Sequence, residues 1–270
     1  MNPLDDATYV ASALERYAVE YRANVDSSFF LRARKVVVDY FLRQLQPGSR
    51  VLDMNCGTGI DVVTIAEDGH DVTGVDVSSA MVSFAVQNIA DAGLSRTARA
   101  EVRDYRKLSR SDVPFDAVLS NFGGINFADD LEPVFGSIDG NLKDGGILLI
   151  NSVSHFCFME SMIFLLSGKF SKAFRRLAGG KARIGGKWVR LFYHRKSAFV
   201  KTAARYSYSV VDVFGLNVFA PPLWAEDFFK SHAWLSRILE GIDNRVRRLP
   251  LFRTGGDFMV IVLKKGVDNR

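Results

Sequence analysis

The sequence predicts an α/β fold, a largely parallel sheet with helices on both faces. Three observations predict it. Residues 50–79, RVLDMNCGTGIDVVTIAEDGHDVTGVDVSS, read as strand, glycine turn, helix, strand and acidic residue. Strand and helix patterns keep alternating up to residue 152. Near the end, Phe258–Leu263 is continuously apolar, as a strand buried on both faces should be.

The elements follow in order. Residues 6–22 carry apolar or aromatic side chains at 9, 10, 13, 14, 17, 18 and 21, which is helical spacing. Residues 28–45 make a second helix, ended by Pro47-Gly48. Val51-Leu52 is a short strand, and Asn55–Gly59 is a tight turn whose glycines let the backbone approach a ligand. Ile60–Asp68 is a helix and Asp71–Val75 a strand ending on Asp76. Ser78–Gly93 is a helix with a serine N-cap and a glycine stop. Arg99–Arg103 and Phe115–Ser120 are strands, Asp129–Asn141 a helix, Lys143–Gly146 a turn and Ile147–Ser152 a strand. Tyr206–Phe214 and Asp257–Lys264 form a closing pair of strands around a mainly helical stretch, 224–249.

A strand–glycine turn–helix unit binds its ligand where strands end and helices begin. A dinucleotide site would need a third glycine where Val62 stands, and Asp61 puts an anion where a pyrophosphate wants positive potential. The NAD reading is therefore the weakest, and a phosphate-free adenosine ligand fits better. Here the chain resembles the class I S-adenosylmethionine (SAM) dependent methyltransferases. Asp53-Met54-Asn55-Cys56-Gly57-Thr58-Gly59 is similar to their first motif, with Asn55 in place of the first glycine. Asn is the non-glycine residue best able to hold a positive φ, which is the expected reason for it.

The resemblance implies a Rossmann-like seven-stranded sheet whose last strand is antiparallel, S-adenosyl-L-methionine as cofactor and S-adenosyl-L-homocysteine as product. It implies that Asp76 binds the ribose hydroxyls and that Asp104 accepts the adenine amino group, with Tyr105 near the ring. Asn121-Phe122-Gly123-Gly124 corresponds to the loop beside the methyl group. It lacks the two prolines and second aromatic of the nucleic-acid amino-methyltransferases, so a small-molecule type, similar to the ubiquinone and menaquinone group, is expected. Tyr17 and Tyr21 are candidates for a helical lid over the cofactor, or pack on the domain. The implied cofactor set is Tyr21, Asp53, Asn55, Cys56, Gly57, Thr58, Gly59, Asp76, Val77, Met81, Asp104, Tyr105, Asn121 and Phe122.

Composition sets further bounds. The two cysteines, Cys56 and Cys157, do not make a disulfide framework, and Cys56 reads as a small packing residue. No Cys/His spacing suggests a metal. The N-terminus MNPLDDATYV lacks a signal-peptide pattern, and there is no apolar run long enough to span a membrane. A cytoplasmic protein is expected. Net charge is +5, but residues 161–211 hold 12 of the 35 basic residues and no acid, so the remainder is net acidic.

The expected organisation is 1–152 (N-terminal helices and SAM-binding core), 153–205 (an inserted cap) and 206–270 (strands completing the sheet). The cap begins apolar at 156–167, turns basic and carries a hairpin around Gly185-Gly186. Its apolar block and Trp188, Phe192 and Tyr193 favour a hydrophobic or amphipathic small-molecule acceptor, with membrane-surface contact through 156–206. RNA methylation through the basic insert and a non-catalytic SAM-binding protein are the alternatives. No obligate protein partner is indicated. His155, just past the fifth strand, is the first candidate base. His194 is the second, and Glu160 could serve if apolar surroundings raise its pKa. His70 reads as structural and His232 as exposed.

Overall fold

The computed structural model describes residues 7–24, 28–220 and 232–267. Two helices, α1 (Ala7–Asn24) and α2 (Ser28–Leu42), precede the alternating region. That region runs β1 (Arg50–Asp53), α3 (Ile60–Glu67), β2 (Asp71–Asp76), α4 (Ser79–Asp91), β3 (Ala98–Val102), β4 (Phe115–Ser120), α5 (Glu132–Asp139) and β5 (Leu142–Val153). The insert contains α6 (Phe158–Leu166), α7 (Phe170–Ala173), a hairpin of β6 (Gly180–Ile184) and β7 (Lys187–Leu191), and α8 (Lys196–Arg205). β8 (Tyr208–Leu216), α9 (Ala233–Val246) and β9 (Phe258–Lys265) follow. Of the stretch read as helical, 224–231 lies outside the described residues.

Seven strands form one sheet in the order β3-β2-β1-β4-β5-β9-β8. The first five are parallel, and β9 inserts antiparallel between β5 and β8. Phe258 through Leu263 are all buried, which is what a strand with neighbours on both edges and helices on both faces requires. Strand order reverses between β1 and β4, so the crevice at their carboxyl ends is the place for a ligand.

Successive strand residues serve opposite faces. Val118, Leu148, Ile150 and Ile261 pack with Val134, Phe135 and Ile138 of α5. Ala117, Leu119, Leu149 and Val260 pack with Val37, Val38 and Phe41 of α2 and with Val62 and Ile65 of α3. The expected Lys143–Gly146 turn proves to be part of β5. The strand starts at Leu142 and absorbs Gly145 (φ 74°) as an irregularity opposite Phe115–Ala117. Helix α5 starts later than expected, at Glu132, with a proline in its first turn.

The insert divides into parts with different attachments. Gly185 and Gly186 both have positive φ, as a two-residue hairpin loop needs, and Gly185 lies against the α1 backbone at Ala13. Val189 packs with Val10 and Ala13, fixing the hairpin to α1. Helix α8 was expected with the cap, but Phe199 and Ala203 are buried in the same cluster as Phe135 and Ile261, so it is a core helix.

Truncating a fully buried aromatic costs about 3–5 kcal/mol. Phe199→Ala should lower stability by that amount in urea unfolding. A change of only a few tenths would return α8 to the cap.

Candidate functional site

The crevice at the carboxyl ends of β1, β2 and β4 is a cleft of about 250 Å³, roofed by α1. It lies near the low end of the volumes usual for small-molecule sites, roughly 300–1,000 Å³. Asn55, Cys56, Gly57, Asp61, Asp76, Val77, Met81, Tyr105, Asn121, Phe122 and Tyr21 all border it.

Backbone geometry sets the polar floor. Gly57 and Gly59 take φ of 53° and 80°, and a side chain at Gly59 would strike Ala85 of α4. The turn thereby brings the Gly57 N–H to Asp76 Oδ2 at 3.0 Å, while Ser78 N donates to Oδ1 at 2.9 Å. Burial pushes the Asp76 carboxyl up, and the donated N–H groups of Ser78 and Gly57 pull it back only partly.

Asn55 is not left-handed: the positive-φ non-glycine residues among those described are Phe122, Ser207 and Asn217. This corrects the expected reason for it. Its side chain is a clasp, with Nδ2 donating to Asn121 O at 2.8 Å and Oδ1 accepting from Ser120 Oγ at 2.6 Å. Asn121 continues the network. Its Nδ2 donates to Asp61 Oδ2 at 2.9 Å, and its Oδ1 accepts from Phe122 N and Asn151 Nδ2. Arg34 of α2 closes it with an ion pair to Asp61 at 2.5 Å and a hydrogen bond to the Tyr21 hydroxyl. Arg34 also lies over the rings of Phe30 and Phe122.

Two cleft-lining groups keep a polar atom without a partner among the described residues, the Arg34 Nε donor and the Asp61 Oδ1 acceptor. Asp53, beneath them, keeps Oδ2 unpaired. Burial, with Asp61 nearby, pushes its carboxyl well up.

The other end of the cleft is apolar. Val10, Leu14 and Tyr17 of α1 face Phe127 and Ile184 there. Tyr17 and Tyr21 both border the cleft, as a helical lid would place them.

Several expected site residues stand elsewhere. Asp53 and Thr58 are buried outside the cleft lining, and Gly59 serves the turn and its contact with α4. Asp104 does not border the cleft. Both its oxygens are taken by Arg106, at 2.9 Å each. Burial works against its charge, but Arg106 outweighs it and lowers the pKa. Arg106, not Asp104, lines the cleft. Cys56 packs against Gly74, and burial pushes its thiol well up, which suits a packing role.

None of the three candidate bases lines the cleft. His155 is half-buried outside it, and burial and Arg195 lower its pKa. His194 contacts Ala128 O through Nε2 at 2.8 Å, and burial lowers its pKa too. The expected raised pKa of Glu160 is overturned. Burial would favour its neutral form, yet Arg175 and Arg176 hold it down to about 2. Arg176 joins it to Asp257 in a buried cluster at the start of β9. His70 is buried beside Asp68, whereas His232, read as exposed, is half-buried before α9.

Val10, Leu14, Arg34, Arg106 and Ile184 were not foreseen in the cleft. Arg34 had a legible signal. It stands at helical spacing with Val37, Val38 and Phe41, on the apolar face of α2, where an unpaired charge would be costly.

Comparison with known proteins places this geometry. Residues 51–146 match the family model of a methyltransferase domain. YqeM of Bacillus subtilis, named as a methyltransferase without a stated acceptor, is 36% identical over 114 residues, 41% of this chain and 45% of its own. Phosphoethanolamine N-methyltransferase 3 of Arabidopsis thaliana is 34% identical over 148 residues, 54% of this chain and 29% of its own. The chain thus spans less than half the length of these relatives. Among solved structures, geranyl diphosphate C-methyltransferase from Streptomyces coelicolor A3(2), in complex with Mg2+, geranyl diphosphate and S-adenosyl-L-homocysteine, shares the fold. Its TM-score is 0.57 at 14% identity, over 88% of this chain and 81% of its own.

The Glu160 cluster yields a pH prediction. A carboxyl held below its unfolded pKa contributes stability that is complete above the unfolded value and lost as pH falls through the folded one. Wild-type stability should therefore fall between pH 4.5 and about 2. Glu160→Gln should be less stable at neutral pH, by about 3–5 kcal/mol for a broken buried pair. It should also show a shallower acid slope, measured by urea unfolding across that window.

Proposed function

We propose that this chain, which carries a methyltransferase domain in the class I SAM-dependent fold, transfers a methyl group from S-adenosylmethionine to a small, apolar or amphipathic acceptor. The observation that carries this reading is the division of one cleft into a polar floor and an apolar end. Asp76, held by two N–H groups at the end of β2, suits a pair of ribose hydroxyls. Arg34 Nε and Asp61 Oδ1 offer one donor and one acceptor, the complement of an amino-acid end. Among the cleft-lining residues Asp61 and Asp76 match Arg34 and Arg106 in number, and Arg34 is paired with Asp61 and Arg106 with Asp104, so the floor offers no excess of positive charge to a pyrophosphate.

The sulfonium makes its methyl electrophilic without help from the protein. The chain's own contribution is then to align and desolvate the acceptor. Well-oriented reactants gain roughly 7–11 kcal/mol over free ones. Val10, Leu14, Tyr17, Phe127 and Ile184 would hold an apolar acceptor and keep water out. Proton removal is not assigned to His155, His194 or Glu160, since none borders the cleft.

Two relatives are named for small acceptors, phosphoethanolamine and geranyl diphosphate, which supports a small molecule here. They do not single out the quinone-biosynthesis group, so the acceptor is given by class. A cytoplasmic setting with membrane contact through 156–206 belongs to the same proposal. No described helix is long and apolar enough to cross a membrane.

Calorimetry should detect S-adenosylhomocysteine binding to the wild type. Asp76→Ala should weaken it about 10- to 100-fold, since hydrogen bonds to a charged group contribute about 1.5–3 kcal/mol. No binding to folded wild type would sink the proposal. With an acceptor found by screening for released S-adenosylhomocysteine, Leu14→Asp should raise KM or lower kcat while leaving S-adenosylhomocysteine affinity within about twofold. An equal loss of both would move Leu14 to the cofactor side.

A further inference from the structure

We infer that the α6–α7 segment docks on an anionic lipid surface, presenting apolar side chains to the bilayer and lysines to its headgroups. The inference rests on the membrane contact proposed for 156–206 and deepens it, naming the segment, its side chains and the charge of the lipid; none of these residues lines the cleft.

Helix α6 buries Met159, Glu160 and Ser161 and exposes Met162, Leu165 and Leu166. After the turn at Gly168, Phe170, Phe174 and Leu177 are exposed at helical spacing while Ala173 is buried. Leu166 is 82% exposed and Phe170 68%. Clustered large apolar side chains of this kind mark an interaction site, unlike single exposed leucines. Lys169, Lys172 and Arg175 are interleaved with them, all exposed.

Charge selects the partner. From residue 161 to 211 the sequence contains no acid, and Glu160 is buried against Arg175 and Arg176. Apolar side chains among exposed cations suit an anionic bilayer surface, where the rings and leucines enter the boundary and the lysines stay in the headgroups. With α6 only nine residues long, the contact is peripheral.

The segment is held in place. Arg176 reaches Asp257 at 2.6 Å and the Asp257 carbonyl at 2.9 Å, and Ser161 Oγ donates to Ala173 O at 2.6 Å. A surface fixed to the start of β9 meets a membrane without paying to become ordered. The same insert supplies Ile184 to the apolar end of the cleft. The lipid-facing segment and the hairpin that borders the cleft thus belong to one insert.

Sedimentation with sucrose-loaded vesicles tests this. Wild type should bind vesicles of equal parts phosphatidylcholine and phosphatidylglycerol, lose binding in high salt, and bind phosphatidylcholine alone far less. Lys169→Gln and Lys172→Gln should each weaken binding about fivefold. Leu166→Ser with Phe170→Ser should weaken it at least about tenfold. In every variant S-adenosylhomocysteine affinity, read by calorimetry, should stay at the wild-type value, which also shows that the variant is folded. Absent binding to the mixed vesicles, or binding unaffected by all these substitutions, overturns the proposal. So does light scattering that shows a dimer broken by Phe170→Ser, because the patch would then cover a second copy. Tight RNA binding lost in the lysine variants, without vesicle binding, overturns it in favour of a nucleic-acid face.

Discussion

The structure depends most on one buried polar network, at the point where the strand order reverses. Two neighbouring parallel strands diverge there, and something must hold their ends together while leaving a crevice open. Asn55 does so from β1, reaching the Ser120 hydroxyl and the Asn121 carbonyl at the end of β4. Asn121 then ties Asn151 of β5 and Asp61 of α3 into the same cluster, and Arg34 brings in α2. A buried amide left unsatisfied costs about 1–3 kcal/mol, so each member of this chain constrains the next. Even the glycine at 124 follows, because a side chain there would strike Asn55.

The network also determines what the crevice can hold. Its ends are charged, and its middle is made of amides that cannot titrate. Asp61 is neutralised on one oxygen by Arg34 and left open on the other. Phe122 pays a backbone cost for the same arrangement, at φ 51°, and is stabilised there by Phe30, Phe258 and the Arg34 guanidinium. The loop beside the expected methyl position is thus fixed by packing from three directions before any ligand binds.

The fold was legible because it rests on periodicity. Alternating strand and helix patterns placed the first five strands, the apolar run at 258–263 marked a strand buried on both faces, and the family resemblance implied its antiparallel direction. The turn and Asp76 were legible because glycine spacing and an acid at a strand end are local signals. What could not be read was which polar and charged side chains meet. Asn55 matched the motif position but for a side-chain reason that only the distance to Ser120 and Asn121 reveals. Glu160 sat in an apolar stretch, where burial alone would raise its pKa, yet two arginines 15 and 16 residues on reverse the sign. Asp104 was lost to an arginine two residues away for the same reason. Charge neutralisation is a tertiary property, and the sequence supplies the partners without saying which ones meet.

The polar and apolar ends of the cleft come from different parts of the chain. The floor is built by the sheet and its turns, which the buried network locks. The apolar end is built by α1 and the hairpin, joined to each other through Val10, Ala13 and Val189. Glu15 of α1 in turn accepts from the N–H of Ala80 at 3.0 Å, fastening α1 to the start of α4, next to Ser78 and Asp76. Helix α1 and the floor therefore meet at a helix N-terminus, where an acid is electrostatically favoured. Substitutions in the hairpin can reshape the apolar end without touching Asp76 or the amide network. In the proposed function that separation would let the same floor be paired with different acceptor ends, and the matched domain, residues 51–146, includes Asp76 and the Asn55–Asn121 clasp but not the hairpin.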